Sequence, residues 1–282
     1  MSGGRKRYLA APLPFMGQKR GFARRFAQIV AEYPADTVFV DLFGGSGLLS
    51  HLARVSCPQA RVIYNDFDGF SRRLEAIPQT NRVLSLIRPI AARTPRTKKM
   101  PESDRHQILD ILRHEEQQSG YLDVITLSAS LLFSGKFATS VDELAKHPFY
   151  SKCRAADIPP ADDYLEGVEV VSCDYRDLVA QFSRRPGVVF ILDPPYLQTA
   201  IGHYTMTWRL GDYLDVLTVL PGNNFIFFTS NKSQLLELCD WMARNPALGD
   251  TLARCRRETT SNAVCHNSGY TDIMLYTQPP IF

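Results

Sequence analysis

The chain has 282 residues, 45% of them hydrophobic, and a formal net charge of +3 at pH 7. This composition supports a large buried core and excludes a disordered chain, while the small charge does not by itself indicate a nucleic-acid partner. The apolar runs are shorter than the roughly 20 residues of a membrane-spanning helix, and none follows the basic N-terminus as in a signal peptide. The cysteines form no CxxC pair and the histidines no metal-binding motif. We therefore expect reduced thiols, a cytoplasmic location, no metal and no membrane partner.

The start of the chain alternates helix and strand patterns, which predicts an α/β fold. A helix is predicted from Phe22 to Val30, followed by buried strands from Thr37 to Leu42 and from Arg61 to Asn65. The glycine loop, Gly44 to Gly47, can bring backbone N–H groups close to a ligand between them. Asp66 stands where such folds often place an acceptor for ribose hydroxyls. Because GxGxxG is absent, the pattern favours an adenosine cofactor other than a nicotinamide dinucleotide.

The next strand is predicted only from Val168 to Cys173, so the connection is far longer than ordinary αβ loops. It predicts an inserted module, residues 74–165, within a catalytic domain of residues 1–73 and 166–282. The insert is expected to be mostly helical. Its helices are predicted from Leu74 to Ile87, after Ser103 as N-cap, and from Tyr121 to Phe133.

Cations lie among aromatic residues in the insert, in the basic loop (Arg93 to Lys99), the small-residue loop (Ser134 to Ser140) and the aromatic segment (Lys146 to Arg154). Such segments suit phosphate and base contacts, and an ordinary solvated surface is the alternative interpretation of each. A polar loop from Thr259 to Gly269 is a further candidate for specificity. The candidate DNA-binding residues are Arg96, Lys98, Lys99, Lys136, Ser140, Lys152, Arg154 and Asn262.

A continuous apolar run from Val188 to Leu192 predicts a strand buried on both faces, and Asp193-Pro194-Pro195-Tyr196 ends it. Two prolines make the turn stiff, and carboxyl ends of strands are where α/β sheets bind ligands. Asp193 and the Pro194 carbonyl could accept the protons of an exocyclic amine, while Tyr196 could stack on its base. An ordinary strand-end turn is the alternative interpretation. After it we predict a helix near 212–220, a strand at 225–231, a helix at 235–242, and strands at 254–258 and 272–276.

The ordered set of motifs resembles the Dam-type (D12, α-group) DNA adenine-N6 methyltransferases. The resemblance covers most of the chain except the middle of the insert. It rests on Pro14-Phe15-Met16-Gly17-Gln18-Lys19, Asp41-Leu42-Phe43-Gly44-Gly45-Ser46-Gly47, Asn65-Asp66, Asp174-Tyr175 and Asp193-Pro194-Pro195-Tyr196.

The resemblance implies a Rossmann-like, seven-stranded methyltransferase sheet, S-adenosylmethionine as methyl donor, and a target-recognition module at the insert. It also implies double-stranded DNA as substrate and a flipped-out adenine. Two settings stay open: a restriction-modification system with a cognate endonuclease as partner, and an orphan or prophage-borne enzyme. The catalytic turn would be Asp193, Pro194, Pro195 and Tyr196. The cofactor-binding residues would be Phe15, Lys19, Asp41, Gly44, Gly45, Gly47, Asp66, Asp174 and Asp193.

The chain departs from the family pattern in two places. Phe15 and Gln18 replace a common tryptophan and glycine, and the insert lacks a Phe-Asn-x-Pro-Phe-Gly stretch, so no target sequence is carried over. Related enzymes acting on cytosine N4 usually have Ser in place of Asp193, and those acting on protein glutamine or RNA commonly have Asn. The alternative function is a catalytically silent methyltransferase fold that binds DNA or regulates another protein.

Overall fold

The computed structural model describes residues 6–133, 136–195, 209–231, 255–265 and 268–278, together with 233, 237, 238, 240, 241 and 244. The chain divides into two compact units. The first contains residues 1–11, 17–70 and 163–282, and the second contains 12–16 and 71–162. The predicted insert, residues 74–165, corresponds to most of the second unit, which also takes in the short segment before Gly17.

Helices and strands alternate through the first unit, whereas the second unit is helical. A 3-10 turn (Arg20–Phe22) precedes the first helix. In chain order the elements are α1 (Ala23–Val30), β1 (Val38–Asp41), α2 (Leu48–Ser56), β2 (Arg61–Asn65), α3 (Phe70–Glu75), α4 (Ile77–Ala91), α5 (Glu102–Ser119), α6 (Val124–Leu131), α7 (Val141–Leu144), β3 (Glu169–Val171), α8 (Tyr175–Phe182), β4 (Val188–Leu192), α9 (Leu210–Leu217), β5 (Asn224–Ser230), β6 (Arg256–Cys265) and β7 (Ser268–Tyr276).

The strands of the described residues form one sheet in the order β3-β2-β1-β4-β5-β7-β6. Neighbours are parallel from β3 to β5, and β7 runs antiparallel to both β5 and β6. The order reverses between β1 and β4, because β2 and β3 extend the sheet on one side and β5 on the other. This is the seven-stranded sheet implied by the resemblance, so the predicted fold class is confirmed.

Alternate residues of β4 face opposite sides of the sheet, and all five are buried. Val189 and Ile191 pack in a core with residues of α1 and α2. Phe190 packs on the other side with residues of α8 and α9. Helices therefore cover both faces, which explains why the strand is apolar throughout rather than alternating with polar residues.

Hydrogen bonds of the buried Arg73 side chain connect separate segments of the second unit. Arg73 donates to a carboxylate oxygen of Asp123 at 3.0 Å, to the Thr126 hydroxyl at 3.0 Å and to the Pro14 carbonyl at 2.8 Å. Because both charged side chains are almost fully buried, the remaining guanidinium donors need these partners. The arginine thus attaches the segment before Gly17 to the helices of the second unit.

The three helices predicted in the insert differ from the structure. The helix expected from Leu74 to Ile87 is interrupted at Ala76, because Pro78 at the start of α4 cannot continue a preceding helix. Ser103 is not an N-cap: α5 begins at Glu102, with Pro101 as its cap residue. Acidic residues in that first turn favour the earlier start through the helix dipole. The helix predicted from Tyr121 to Phe133 is shorter in the structure, where it is α6. Asp123 caps α6 by accepting a hydrogen bond from the Thr126 N–H at 3.1 Å.

The prediction of a polar loop from Thr259 to Gly269 is wrong. β6 and β7 pair through most of this stretch, with Asn262 opposite Tyr270 and a register shift between Ala263 and Cys265. A hairpin at the end of a sheet needs backbone pairing and tolerates polar side chains, so polarity alone misidentified it as a loop. None of the helices among the described residues has the length and apolar character of a membrane span.

Candidate functional site

The site is built at the carboxyl ends of β1 and β4, which are neighbours at the point where the strand order reverses. Asp41 is the last residue of β1 and lies opposite Ile191 of β4. Asp193 follows two residues later, directly beyond the end of β4. In open α/β sheets this position is where a crevice forms and ligands bind. Both motif carboxylates are thus brought to the edge where a substrate or cofactor is expected.

The glycine loop is held by two tyrosine hydroxyls. Tyr64 donates to the Gly45 carbonyl at 2.8 Å, and Tyr164 donates to the Ser46 carbonyl at 3.0 Å. A Cβ on Gly44 would overlap the ring of Tyr64, so this close packing requires glycine. Gly47 precedes α2 with φ of 67°, a conformation that L side chains rarely adopt. The loop therefore has a defined shape at the N-terminus of α2, where backbone donors favour anionic or polar ligand groups.

Tyr164 is itself held by a neutral histidine. Its ring stacks on His51, with centroids 4.9 Å apart and an interplanar angle of 15°. The Tyr8 N–H donates to His51 Nε2 at 3.0 Å, so that nitrogen must be an acceptor and Nδ1 must carry the proton. His51 Nδ1 then donates to the Tyr164 carbonyl at 2.7 Å. These contacts fix the tyrosine that supports the glycine loop.

Asp41 is a fully buried carboxylic group with an incomplete set of partners. Its Oδ2 accepts a hydrogen bond from the Ser50 hydroxyl at 2.7 Å, while Oδ1 has no partner among the described residues. The pKa of Asp41 is raised from 3.8 to about 7, mainly by burial and also by the nearby Asp193 charge, while hydrogen bonds with Ser50 and with the Phe43 backbone act in the lowering direction. A cationic ligand group next to Asp41 would favour its ionised form.

Asp193 forms an ion pair with Lys19. The Lys19 Nζ lies 2.6 Å from Asp193 Oδ2, and the two side chains are only 6% and 18% exposed. The same ammonium donates to the Gly17 carbonyl at 2.8 Å, and Gly17 has φ of 80°. Burial raises the pKa of Asp193 and the Lys19 charge lowers it, while Asp272 acts in the raising direction. Lys19 of the first motif thus favours the ionised form of Asp193 in the last motif.

Asp66 lies at the carboxyl end of β2 and is almost completely buried. Its Oδ1 accepts hydrogen bonds from the Tyr64 hydroxyl at 2.9 Å and from the Phe70 N–H at 2.6 Å. These contacts orient the carboxylate next to the glycine loop, because Tyr64 also contacts that loop. The structure therefore brings Asp66, Gly44, Gly45 and Gly47 into one hydrogen-bonded group.

Asp174 lies beyond the end of β3 and caps α8. Its carboxylate accepts a hydrogen bond from the Arg176 N–H at 2.8 Å. Arg176 also pairs with Asp212 and Asp215 of α9, at 3.4 and 3.0 Å. Asp174 is exposed at the same edge of the sheet as Asp66. Its predicted contact with the cofactor adenine remains a prediction.

Two further residues belong to the site but not to the predicted set of catalytic and cofactor-binding residues. Asn65 joins three strand ends, since its amide donates to the carbonyls of Leu42 and Cys173 at 3.1 and 3.0 Å and accepts from the Cys173 N–H at 3.1 Å. Asp272 of β7 is mostly buried and acts electrostatically on Asp193. Asn65 stands within a recognised motif, whereas nothing local to Asp272 marks it as part of the site.

The remaining candidates lie elsewhere in the chain. Phe15 and the candidate DNA-binding residues Arg96, Lys98, Lys99, Lys136, Ser140, Lys152 and Arg154 belong to the second unit. The Ser140 hydroxyl accepts a hydrogen bond from the Glu143 N–H at 3.1 Å and caps α7. The backbone of Asn262 belongs to β6, and its side chain lies outside the described part of the chain, as does Tyr196.

The chain is similar to known proteins over most of its length. No protein-family model matches the sequence. A protein of Haemophilus influenzae described as "Putative methyltransferase" is 36% identical over 246 residues, which cover 84% of this chain and 81% of that protein. Among solved structures, precorrin-6y C5,15-methyltransferase of Geobacter metallireducens matches 97% of this chain and 100% of its own, with a TM-score of 0.37 and 9% sequence identity.

Proposed function

The chain belongs to the same methyltransferase family as this Haemophilus influenzae protein, and we propose that it methylates the N6 atom of a flipped-out adenine in double-stranded DNA. The methyl donor in this proposal is S-adenosylmethionine. The observation that carries the proposal is the position of Asp193 and its two prolines at the reversal of strand order, beside the glycine loop and Asp41. The Asp-Pro-Pro turn and the glycine loop thus stand at the same edge of the sheet.

The residues at this edge fit a cationic cofactor that contains adenosine. The buried Oδ1 of Asp41 has no partner among the described residues and would be compensated by a positive group. The glycine loop offers backbone at the start of α2, and Asp66 offers a carboxylate of the kind that accepts ribose hydroxyls. S-adenosylmethionine supplies the electrophilic methyl group when bound. The residues of the chain would bind the exocyclic amine of the adenine and accept the proton that the amine loses.

Asp193 is the residue that we assign to the amine. The lone pair of an exocyclic adenine nitrogen is delocalised into the ring, so the nitrogen attacks poorly. Lys19 contacts Oδ2 of Asp193, which leaves Oδ1 and the Pro194 carbonyl as acceptors for the two amine protons. Holding both protons favours a pyramidal nitrogen with a localised lone pair. The methylated nitrogen must then lose one proton, and Asp193 can accept it because burial raises its pKa.

The test is methyl transfer from labelled S-adenosylmethionine to unmethylated duplex DNA, followed by identification of the modified base. We expect N6-methyladenine with the wild-type chain and none with Asp193→Ala, while DNA binding survives, since the interactions of this carboxylate act mainly in the transition state. Asp177→Ala is the matched control, because Asp177 is exposed on α8 and should leave the rate unchanged. Substantial turnover by Asp193→Ala contradicts the mechanism. DNA binding without transfer by the wild type would favour the silent DNA-binding alternative.

A further inference from the structure

Backbone hydrogen bonds join three parts of the second unit that are distant in sequence. The Met100 N–H, at the end of the basic loop, donates to the Phe149 carbonyl at 2.9 Å. The Tyr150 N–H then donates to the carbonyl of Leu131, the last residue of α6, at 2.7 Å. The basic loop, the end of α6 and the aromatic segment consequently form one continuous surface of this unit.

The aromatic residues of this surface differ in burial. Phe149 is fully buried and belongs to the core, whereas Phe133 is 56% exposed. The ring of Phe133 lies 5.5 Å from that of Tyr150 at an interplanar angle of 63°, and the Lys152 ammonium stands 5.2 Å from its centroid. Both distances fall in the range of favourable aromatic and cation–π contacts. Phe133 is therefore positioned by its neighbours while more than half of it faces solvent.

The charges around Phe133 are available to an anionic partner. Arg93 of the basic loop is neutralised by Asp104 at 3.0 Å. In contrast, the exposed side chains of Arg96, Lys98 and Lys99 make no ion pair with any residue that the structure describes. Lys99 also forms an antiparallel backbone bridge with Tyr150, so this end of the basic loop lies next to the aromatic segment. An exposed ring beside unpaired cations is the combination that binds bases and phosphates together.

We propose that Phe133, held by Tyr150 and Lys152, stacks on an unstacked base of the DNA substrate, with Lys152 and the basic loop contacting the flanking phosphates. This inference rests on the proposed function and identifies the surface that its DNA substrate would contact. A mismatched or otherwise unpaired base stacks poorly in a duplex, and an aromatic side chain compensates the missing stacking. The cations supply attraction that is independent of sequence.

The experiment measures fluorescence anisotropy of a labelled DNA duplex with a central mismatch, which lowers the cost of unstacking. Phe133→Leu keeps an apolar side chain but removes the ring, so the Kd should rise roughly tenfold or more, whereas Phe133→Trp should bind as the wild type does. Lys152→Gln should lower the salt slope of log K by about one unit. The matched control is Leu86→Ala, because Leu86 is an exposed apolar residue of the same unit on α4. Thermal unfolding checks that each variant is folded.

The outcomes separate this inference from the proposed function. If the wild type methylates DNA and Phe133→Leu binds with the wild-type Kd, only the stacking site is refuted. If Phe133→Leu weakens binding of the equivalent RNA duplex but not of the DNA duplex, the assignment to DNA is wrong. If the wild type neither binds nor methylates DNA, both fail. An equal loss of affinity in Phe133→Leu and Leu86→Ala would indicate general apolar adhesion and also refute the stacking site.

Discussion

Replacing Lys19 with methionine removes the positive charge that faces Asp193 while keeping a long apolar side chain. The pair is 2.6 Å long and largely buried, so the interaction removed is of the charge-assisted class, which contributes ~1.5–3 kcal/mol. Because 1.36 kcal/mol corresponds to one pKa unit, the pKa of Asp193 should rise by about one to two units above its already raised value. The variant should therefore need a higher pH to reach the ionised carboxylate.

The same change predicts a pH-dependent loss of stability. The pKa of Asp193 in the folded chain lies above 3.8, so its contribution is fully present below that value and is lost as pH rises through the folded pKa. Lys19→Met moves this folded pKa upward and extends the loss to higher pH. Removing one partner of a buried pair costs about 3–5 kcal/mol, and we expect the lower end because Asp193 is 18% exposed.

Two assays check this reasoning. Urea denaturation from acid to neutral pH should show the largest difference between Lys19→Met and the wild type near pH 7, shrinking as Asp193 is protonated. The midpoint of the pH–rate profile for methyl transfer should move upward by about one to two units. The double variant Lys19→Met/Asp193→Asn is the control, since it leaves no buried charge and should recover part of the stability. An unchanged profile together with a pH-independent stability difference would refute the role of the ion pair.

Three further predictions follow from the site and the basic loop. Asp66→Ala should weaken binding of S-adenosylmethionine roughly tenfold to a hundredfold in calorimetry, and unchanged affinity in a folded variant would remove Asp66 from the site. Asp41→Asn should flatten the fall in unfolding free energy between pH 3.8 and about 7, because the raised pKa of Asp41 makes the folded chain retain a proton over that range; urea titrations that still fall as the wild type does would contradict it. Neutralising Arg96, Lys98 and Lys99 together should weaken DNA binding and lower its salt slope by about one unit for each phosphate that is no longer bound, with site preference retained. A wild-type slope would mean that the basic loop only faces solvent.

The strands of the parallel part of the sheet could be predicted well from the sequence. The bounds of β4 agree with its apolar run because a strand buried on both faces is apolar throughout. β2 also has its predicted bounds, although it begins at Arg61 and ends at Asn65. The hairpin of β6 and β7 could not be predicted in this way. Its stability depends on backbone pairing at the end of the sheet, and residues such as Thr259, Thr260 and Asn262 give a polar pattern that resembles a loop.

The motifs of the site could be found in the sequence, but their connections could not. Lys19 and Asp193 both belong to recognised motifs, yet nothing local shows that they form an ion pair. The role of Tyr164 is harder to predict, because this residue lies within the predicted insert and contacts the glycine loop only in the folded chain. Such contacts depend on how the chain folds over long separations, which residue patterns over a few positions do not encode.

The charges at the edge of the sheet give a physical reason for the kind of cofactor that the site favours. The charge of Asp193 raises the pKa of Asp41, and the charge of Asp272 raises the pKa of Asp193, while Lys19 offsets part of the repulsion at Asp193. A cofactor carrying a sulfonium and an ammonium group would relieve the repulsion that remains and would favour ionisation of Asp41. A dinucleotide would instead place its phosphates beside these carboxylates, which like-charge repulsion disfavours. The missing GxGxxG pattern and the acidic edge thus independently disfavour a dinucleotide cofactor.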